Sequence, residues 1–256
     1  MEEKKSGLRT VGSGAAKAGV FVGRSILENY KKIDPDLIRH IVQVPLLGYS
    51  LFVPHNQHFR PGQADGFPPL IFVHGLGGNR GNFLLMSWYL RLLGRKRSYS
   101  IHFGAGQTVH SMTAALARFI RKVQKVTGER KVAIVAHSLG GLIVRLAMRE
   151  YRLSPAVETL ITLGTPHHGT YSARYANTAI TRDIRPDSRL IRDLGRQPWP
   201  RGVRGVSFWS RSDIMILPPE SAALDGTVQI EMTPFTHYSY LIDPRSWAAV
   251  GRALNG

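Results

Sequence analysis

The sequence predicts an α/β domain in which a mostly parallel central sheet is covered by helices on both faces. Short apolar runs of strand length alternate with longer stretches in which apolar residues recur at helical spacing. The run Leu70-Ile-Phe-Val73 has no polar face, which is typical of a parallel strand buried on both sides. A chain of 256 residues is long enough to bury one sizeable core of this kind.

Six short stretches are the predicted strands: residues 70–73, 99–103, 131–135, 157–163, 203–209 and 227–231. Between them, apolar residues follow a helical period in residues 83–93, 109–126 and 140–151. Gly128 follows the second of these helices and supplies a stop for it. A further strand-like stretch, from Val44 to Val53, precedes all of them.

Residues 1–42 are predicted to form a partly helical extension ahead of a main domain over residues 43–256. Apolar residues recur at near-helical spacing between Leu8 and Ile26, although four glycines weaken that helix. A basic amphipathic helix can lie on a membrane, but packing onto the domain is its commoner fate. Lys17 and Arg24 bound an apolar run too short for the core of a signal peptide, and no run reaches transmembrane length. We therefore expect a cytoplasmic protein, with membrane association as the alternative.

The charge balance is strongly basic. Thirty-four Lys and Arg residues against seventeen Asp and Glu residues give a formal charge of +17. Such a field favours anionic partners, namely nucleic acid, an anionic membrane or a charged substrate, but it also suits a merely solubilising surface. The chain has no cysteine, which excludes disulfides and thiolate metal sites.

The strongest local pattern is Val135-Ala-His-Ser-Leu-Gly-Gly141, between a predicted strand and a predicted helix. A sharp turn here lifts a serine hydroxyl above the end of the sheet. The close approach of strand and helix requires small residues two before and two after the serine, and Ala136 and Gly140 occupy these positions. The usual pattern is Gly-x-Ser-x-Gly, from which Ala136 departs by one methyl group. The pattern predicts Ser138 to be a nucleophile for acyl transfer.

A glycine-rich stretch, Phe72-Val-His-Gly-Leu-Gly-Gly78, directly follows the first predicted strand. Acyl transfer builds negative charge on a carbonyl oxygen, which backbone N–H groups stabilise. With this type of serine turn, the donors are the residue after the nucleophile and one in the loop after this strand, so we expect Leu139 and Leu76. A phosphate-binding loop is the alternative, but the stretch lacks the Lys and hydroxyl of that motif and does not fit Gly-x-Gly-x-x-Gly.

A serine nucleophile needs a base, and in this fold the chain order is nucleophile, acid, histidine. His167 and His168 directly follow a predicted strand, whereas His237 lies beyond the last strand, with the candidate acids between it and Ser138. His237 is therefore the predicted base. Two adjacent side chains seldom point at one ion, so no metal site is predicted at these histidines.

The acid lies between Ser138 and His237. Asp213 is preferred because it follows a predicted strand at its carboxyl end, where α/β sheets assemble their sites. Asp225 precedes Gly226 and the sixth strand, which is typical of a turn at the opposite edge. The remaining candidates are the aspartates of an Arg-rich segment and two less favoured glutamates: Asp183, Asp187, Asp193, Glu158 and Glu220.

Together these motifs resemble bacterial lipases and esterases of the α/β-hydrolase superfamily. The Ala-x-Ser-x-Gly turn looks like that of the small Bacillus-type lipases. Leu163-Gly-Thr-Pro-His-His-Gly169 is similar to triacylglycerol lipases and to GPI-inositol-deacylase-like hydrolases. The resemblance spans about residues 68–243. It implies an α/β-hydrolase fold and the following site: Ser138, Asp213 and His237 as the triad, Leu76 and Leu139 as oxyanion donors, and His74, Gly75 and His137 around the substrate.

Residues 170–200 contain no strand-like run and only a short helical stretch at 188–194. In similar enzymes an insertion at this place covers the acyl pocket as a cap or short lid. A surface connection is the alternative, although long loops in compact domains are usually functional or disordered.

The expected function is that of a serine carboxylic ester hydrolase, a lipase or esterase, acting through an acyl-enzyme on an ester or lipid without cofactor or metal. A thioesterase or amidase stays open, because the triad is indifferent to the leaving group. The rival hypothesis is a non-catalytic module that binds anionic membrane or nucleic acid. The three catalytic residue types argue against it, and nucleic acid is the less favoured partner; peripheral contact with an anionic membrane is compatible with either hypothesis.

Overall fold

The computed structural model describes residues 35–52, 59 and 61–256. The helix predicted between Leu8 and Ile26 lies outside the described residues. Within them, the first helix, α1, spans Pro35–Leu46 and continues into a 3₁₀ helix over Leu47–Phe52.

A six-stranded parallel sheet forms the centre of the described domain. Its strand order is β2-β1-β3-β4-β5-β6, and every neighbouring pair is parallel. The strands are, in chain order, β1 Leu70–Val73, β2 Ser98–Ser100, β3 Val132–His137, β4 Val157–Leu163, β5 Arg204–Trp209 and β6 Val228–Glu231. The predicted α/β-hydrolase fold is confirmed.

Helices cover both faces of the sheet. On one face the sheet packs against α3 (Val109–Thr127) and α4 (Leu139–Glu150), and on the other against α2 (Leu84–Leu92) and α8 (Pro244–Asn255). All residues of β1 and β3 are buried, which explains why these strands are apolar without alternation. The described part also has short α-helices, namely α5 Ala179–Asp183, α6 Arg189–Gly195 and α7 Ser239–Ile242, and several 3₁₀ turns. Within the described residues, no helix has the length and apolar character needed to span a membrane.

Helix α3 shows how the local sequence sets the ends of an element. The Thr108 side chain accepts a hydrogen bond from the N–H of Ser111, and the Ser111 side chain bonds back to the N–H of Thr108. Caps of this type typically contribute about 1 kcal/mol. At the other end Gly128 has φ +74°, a left-handed conformation that ends the helix as predicted.

Three parts of the sequence prediction need correction. The stretch from Val44 to Phe52 is helical, not a strand, and Val53 lies outside the described residues. Pro45 has no N–H for a strand ladder, whereas Pro35 and Asp36 suit the first turn of a helix. Strand β2 ends at residue 100 and not at Phe103, whose N–H bonds the His74 ring. Helices α5, α7 and α8 were not predicted; Asp243 caps α8.

Candidate active site

Ser138 occupies the sharp turn between β3 and α4. Its φ of +54° is left-handed, a conformation that a residue with a side chain holds at a cost of about 1–3 kcal/mol. Its N–H donates to the carbonyl of Leu163 at 2.9 Å, which fixes the turn to β4. A Cβ on Gly140 would lie 2.5 Å from the carbonyl oxygen of Val73, so only glycine fits where the helix passes β1. Ala136 is fully buried, and the fold accommodates its methyl group.

The loop after β1 lies directly over this turn. A Cβ on Gly75 would lie 2.8 Å from the Cβ of Ser138, so this loop could not approach so closely with a larger residue. Asn79 holds the far end of the loop, where its side chain accepts from the N–H of Gly81 at 2.7 Å and donates to Ser50 at 3.1 Å. The loop is therefore fixed at both ends relative to Ser138.

His74 lies behind this loop and does not line the cavity. Its Nε2 accepts the N–H of Phe103 at 3.1 Å, so the ring proton is on Nδ1, which donates to the carbonyl of Gly75 at 2.9 Å. Burial lowers the pKa of His74 to about 4, and the neighbouring His102 contributes in the same direction. A neutral His74 thus ties the loop over Ser138 to the end of β2.

The amides expected to bind an oxyanion are both at the cavity. Leu139 is the first residue of α4, so its N–H has no partner within the helix and lies at the positive end of the helix dipole. Leu76 lies in the loop over the serine, with its side chain half exposed. Both residues line the same cavity as Ser138.

Asp213 and His237 form a buried pair. Nδ1 of His237 donates to Asp213 at 2.9 Å from Oδ2 and 3.1 Å from Oδ1. Oδ1 also accepts the N–H groups of Met215 at 3.0 Å and Ile216 at 3.3 Å. Since the carboxylate is held by main-chain donors, it fixes the orientation and tautomer of the imidazole.

No hydrogen bond joins the Ser138 hydroxyl to His237 in the described part of the chain, although both line one cavity. Contacts between nucleophile and base are often looser in the absence of substrate.

His137 and Gly164 fix the position of the histidine loop, which we define as residues 232–239 after β6. The Nε2 of His137 donates to the backbone carbonyl of His237 at 2.9 Å, with the two ring centroids 4.6 Å apart. Burial holds the pKa of His137 well below its usual range. Gly164 has φ +53°, and a Cβ there would lie 2.9 Å from Oδ2 of Asp213. The pair therefore sits against bare backbone at the end of β4.

Helix α1 holds the same loop from outside, a contact that was not predicted from the sequence. Arg39 donates to the carbonyl of Pro234 at 3.0 Å. Oε1 of Gln43 accepts the hydroxyls of Thr236 at 2.5 Å and Ser239 at 3.1 Å, while its Nε2 donates to Ser239 at 2.9 Å.

His40, on the same side of α1, stacks on Tyr238 with ring centroids 5.0 Å apart. Burial, and then the nearby His237, lower the pKa of His40. The only sequence signal for these contacts is the polar spacing 36, 39, 40 and 43, which is one helical face.

The cavity above Ser138 has a volume of about 360 Å³. Its polar side contains Ser138, His137, His237 and the loop from Gly75 to Asn79. Residues from the segment 170–200 also line it, namely Thr170, Ser172 and Ile184. The apolar part of the wall includes Val44, Leu47, Ile184, Met215 and Ile216.

The other candidate residues lie elsewhere. Asp225 precedes β6 at the opposite edge of the sheet and lines a separate cavity with Trp199. Asp193 and Asp187 form surface ion pairs with arginines. His167 is buried, with Nε2 3.0 Å from the Thr162 hydroxyl, whereas His168 is exposed, so the two rings do not converge. Among the described residues, no group of three or more possible ligands is arranged to hold a metal.

The fold and the serine turn define the chain as an α/β-hydrolase. Residues 69–201, just over half of the chain, match the family model of the palmitoyl protein thioesterases. The chain belongs to the palmitoyl protein thioesterase family.

Two curated relatives match shorter segments. Ethanol acetyltransferase 1 from Cyberlindnera jadinii is 28% identical over 116 residues, which are 44% of this chain and 34% of that protein. Protein SERAC1 from Danio rerio is 34% identical over 91 residues, 29% of this chain and 14% of that protein. The matches thus span about a third and about a seventh of these relatives.

Solved lipase structures share the fold. The mature form of a Bacillus licheniformis lipase superposes with a TM-score of 0.65 at 17% identity, covering 79% of this chain and 96% of that one. Aspergillus fumigatus lipase B gives a TM-score of 0.63 at 18% identity, covering 80% and 55%. At these identities the likeness establishes the architecture.

Proposed function

We propose that this chain hydrolyses acyl esters or thioesters, with Ser138 as nucleophile, His237 as general base and Asp213 as the group that orients it. The observation that carries the proposal is the buried Asp213–His237 pair, which opens onto the same cavity as the left-handed serine at the start of α4. These are the parts that acyl transfer by an activated serine requires.

The reaction follows from the proton positions. Because Nδ1 of His237 donates to Asp213, Nε2 is free to take the proton of the Ser138 hydroxyl as Oγ bonds to the carbonyl carbon. The bond to the leaving oxygen or sulfur then breaks, and the leaving group takes the proton from Nε2. Water repeats the sequence on the acyl-enzyme, releasing the carboxylic acid and free serine.

The oxyanion formed in each half-reaction would lie between the N–H groups of Leu76 and Leu139. Loss of one such donor costs roughly 3–4 kcal/mol of transition-state stabilisation in a related type of site. His74 contributes indirectly, because its two ring nitrogens hold the loop that carries Leu76.

The apolar wall of the cavity supports an acyl chain as the substrate group. The family is described as palmitoyl protein thioesterase, and the structural relatives named above are lipases. We therefore propose a lipid-derived acyl group, joined through oxygen or sulfur, since the proposed chemistry is the same for either leaving atom. Nothing in this mechanism needs a cofactor.

A covalent fluorophosphonate probe tests the nucleophile. The wild-type protein should be labelled, Ser138→Ala should not, and Ser154→Ala, whose serine lies at the opposite end of the sheet before β4, should label normally. Ser138→Ala should also lose hydrolysis of p-nitrophenyl esters without losing stability. Labelling of Ser138→Ala, or a rate above background, would reject Ser138 as nucleophile. A series of such esters and matched acyl thioesters of increasing length then defines chain length and leaving atom.

A further inference from the structure

Helix α1 turns its polar side toward the domain and its apolar side toward solvent, the reverse of an ordinary surface helix. An amphipathic helix usually buries its apolar side and exposes its polar side. In α1 the polar residues Arg39 and Gln43 contact the histidine loop, as described above. The opposite side is apolar and exposed to solvent, and consists of Leu37, Ile38, Ile41, Val42 and Val44.

This outer face of α1 is continuous with the mouth of the cavity. Val44 belongs to both, since it lines the cavity and is also 48% exposed. Leu76, on the loop over the serine, and Met215, after Asp213, likewise line the cavity while remaining 50% and 39% exposed. Apolar surface therefore surrounds the opening from three separate parts of the chain.

The segment 170–200 adds aromatic and basic side chains next to the same opening. Tyr171 lies between the cavity-lining residues Thr170 and Ser172 and is exposed, with the Arg174 guanidinium 5.4 Å from its ring centroid. Tyr175 is exposed as well. Tyrosines and arginines around an apolar patch are typical of a surface that meets the headgroup layer of a bilayer.

We propose that the outer face of α1 is a docking surface for a lipid bilayer containing anionic lipid, which places the cavity mouth against the membrane. The apolar residues would insert among acyl chains. The chain's formal charge of +17 and the basic residues of the segment 170–200 are complementary to anionic headgroups. Membrane binding itself needs no turnover, so it does not depend on the proposed function. Only the purpose of that binding rests on the proposed function.

Vesicle sedimentation with phosphatidylcholine, with and without phosphatidylglycerol, tests this surface. The double variant Ile41→Ser, Val42→Ser changes two exposed residues, 58% and 61% accessible, that do not line the cavity. Removing two side chains that enter lipid should lower partitioning to anionic vesicles by about tenfold or more. Binding by the wild type should also weaken with added salt.

Val228→Ser is the matched control. Val228 is 57% exposed but is the first residue of β6, at the sheet edge opposite the cavity. Because Val228 lies away from α1, this variant should partition within about twofold of the wild type, although each substitution removes a similar apolar area. All three proteins should hydrolyse a soluble short-chain ester at the same rate, and Ser138→Ala should bind vesicles like the wild type. This last comparison separates failure of docking from failure of the proposed chemistry.

Three results would overturn the proposal. They are no wild-type binding to either vesicle, equal binding by the double variant, or an equal loss in Val228→Ser. A wild-type dimer that the double variant dissociates, without vesicle binding, would assign this face to a second copy of the chain instead.

Discussion

Gly164→Ala tests whether the end of β4 sets the geometry of the proposed acid–base pair. The added Cβ would lie 2.9 Å from Oδ2 of Asp213, 2.9 Å from the Tyr240 ring and 3.3 Å from Nδ1 of His237. Ordinary van der Waals contact begins near 3.4 Å. Tyr240 is fully buried and packs in the hydrophobic core, which opposes its displacement. The methyl group would therefore displace the carboxylate and the imidazole.

The magnitude has two parts. A left-handed φ of +53° costs a residue with a side chain about 1–2 kcal/mol of folding free energy. A displacement of about 0.5 Å would take the 2.9 Å hydrogen bond of the pair outside the normal range of about 2.7–3.2 Å. We expect kcat to fall by about 10²-fold or more, up to the roughly 10⁴-fold seen when the aspartate of a serine protease triad is neutralised.

The assay is kcat on a soluble chromogenic ester, with urea unfolding measured in parallel. Gly106→Ala is the control, because Gly106 has φ +75° but nothing lies within 4 Å of its added Cβ. Its free energy of unfolding should fall by a similar amount, about 1–2 kcal/mol, because of the left-handed backbone, and its kcat should stay unchanged. An unchanged kcat in Gly164→Ala, or an equal fall in Gly106→Ala, would refute the reasoning.

Two further predictions concern the acid and a buried histidine. Asp213→Asn should lower kcat steeply, by about 10⁴-fold at most, because the asparagine cannot stabilise an imidazolium, whereas Asp225→Asn should change it only slightly; the reverse ranking would move the acid to Asp225. Since the pKa of His74 is about 4 in the folded state and near 6.5 unfolded, its contribution to stability is complete above pH 6.5 and is lost as the pH falls towards 4, amounting to about 3 kcal/mol. The free energy of unfolding, measured in urea across this pH range, should therefore rise less steeply with pH for His74→Gln than for the wild type. Equal pH dependence in the two proteins would contradict the assignment.

The parts of the site that could be predicted are those that depend on local chain geometry and chain order. The turn around Ser138 needs small neighbours at fixed offsets, so five residues are enough to indicate it. His237 follows from chain order together with its position beyond the last strand, because an acid has to lie between it and the serine. Asp213 follows from the end of β5, since the carboxyl ends of parallel strands share one edge. The structure brings Asp213 and His237 together; their roles stay predictions.

The parts that could not be predicted depend on contacts between distant segments. Periodicity shows that α1 has two faces but not which face meets the domain, and here the polar face does. The bond from Gln43 to Thr236 joins residues 193 apart in the chain. The position of His74 behind the loop depends on the hydrogen bond that its ring accepts from the N–H of Phe103, beyond the end of β2.

The hydrogen bonds that join α1 to the histidine loop have a consequence for folding. A helix of twelve residues is marginal in water on its own, and the partners of Arg39 and Gln43 are residues 234–239. During synthesis these partners emerge nearly two hundred residues after the helix. Helix α1 therefore gains its native anchorage only when the last part of the sheet is complete, and a chain that ends before residue 234 would leave α1 unanchored and the cavity open along that side.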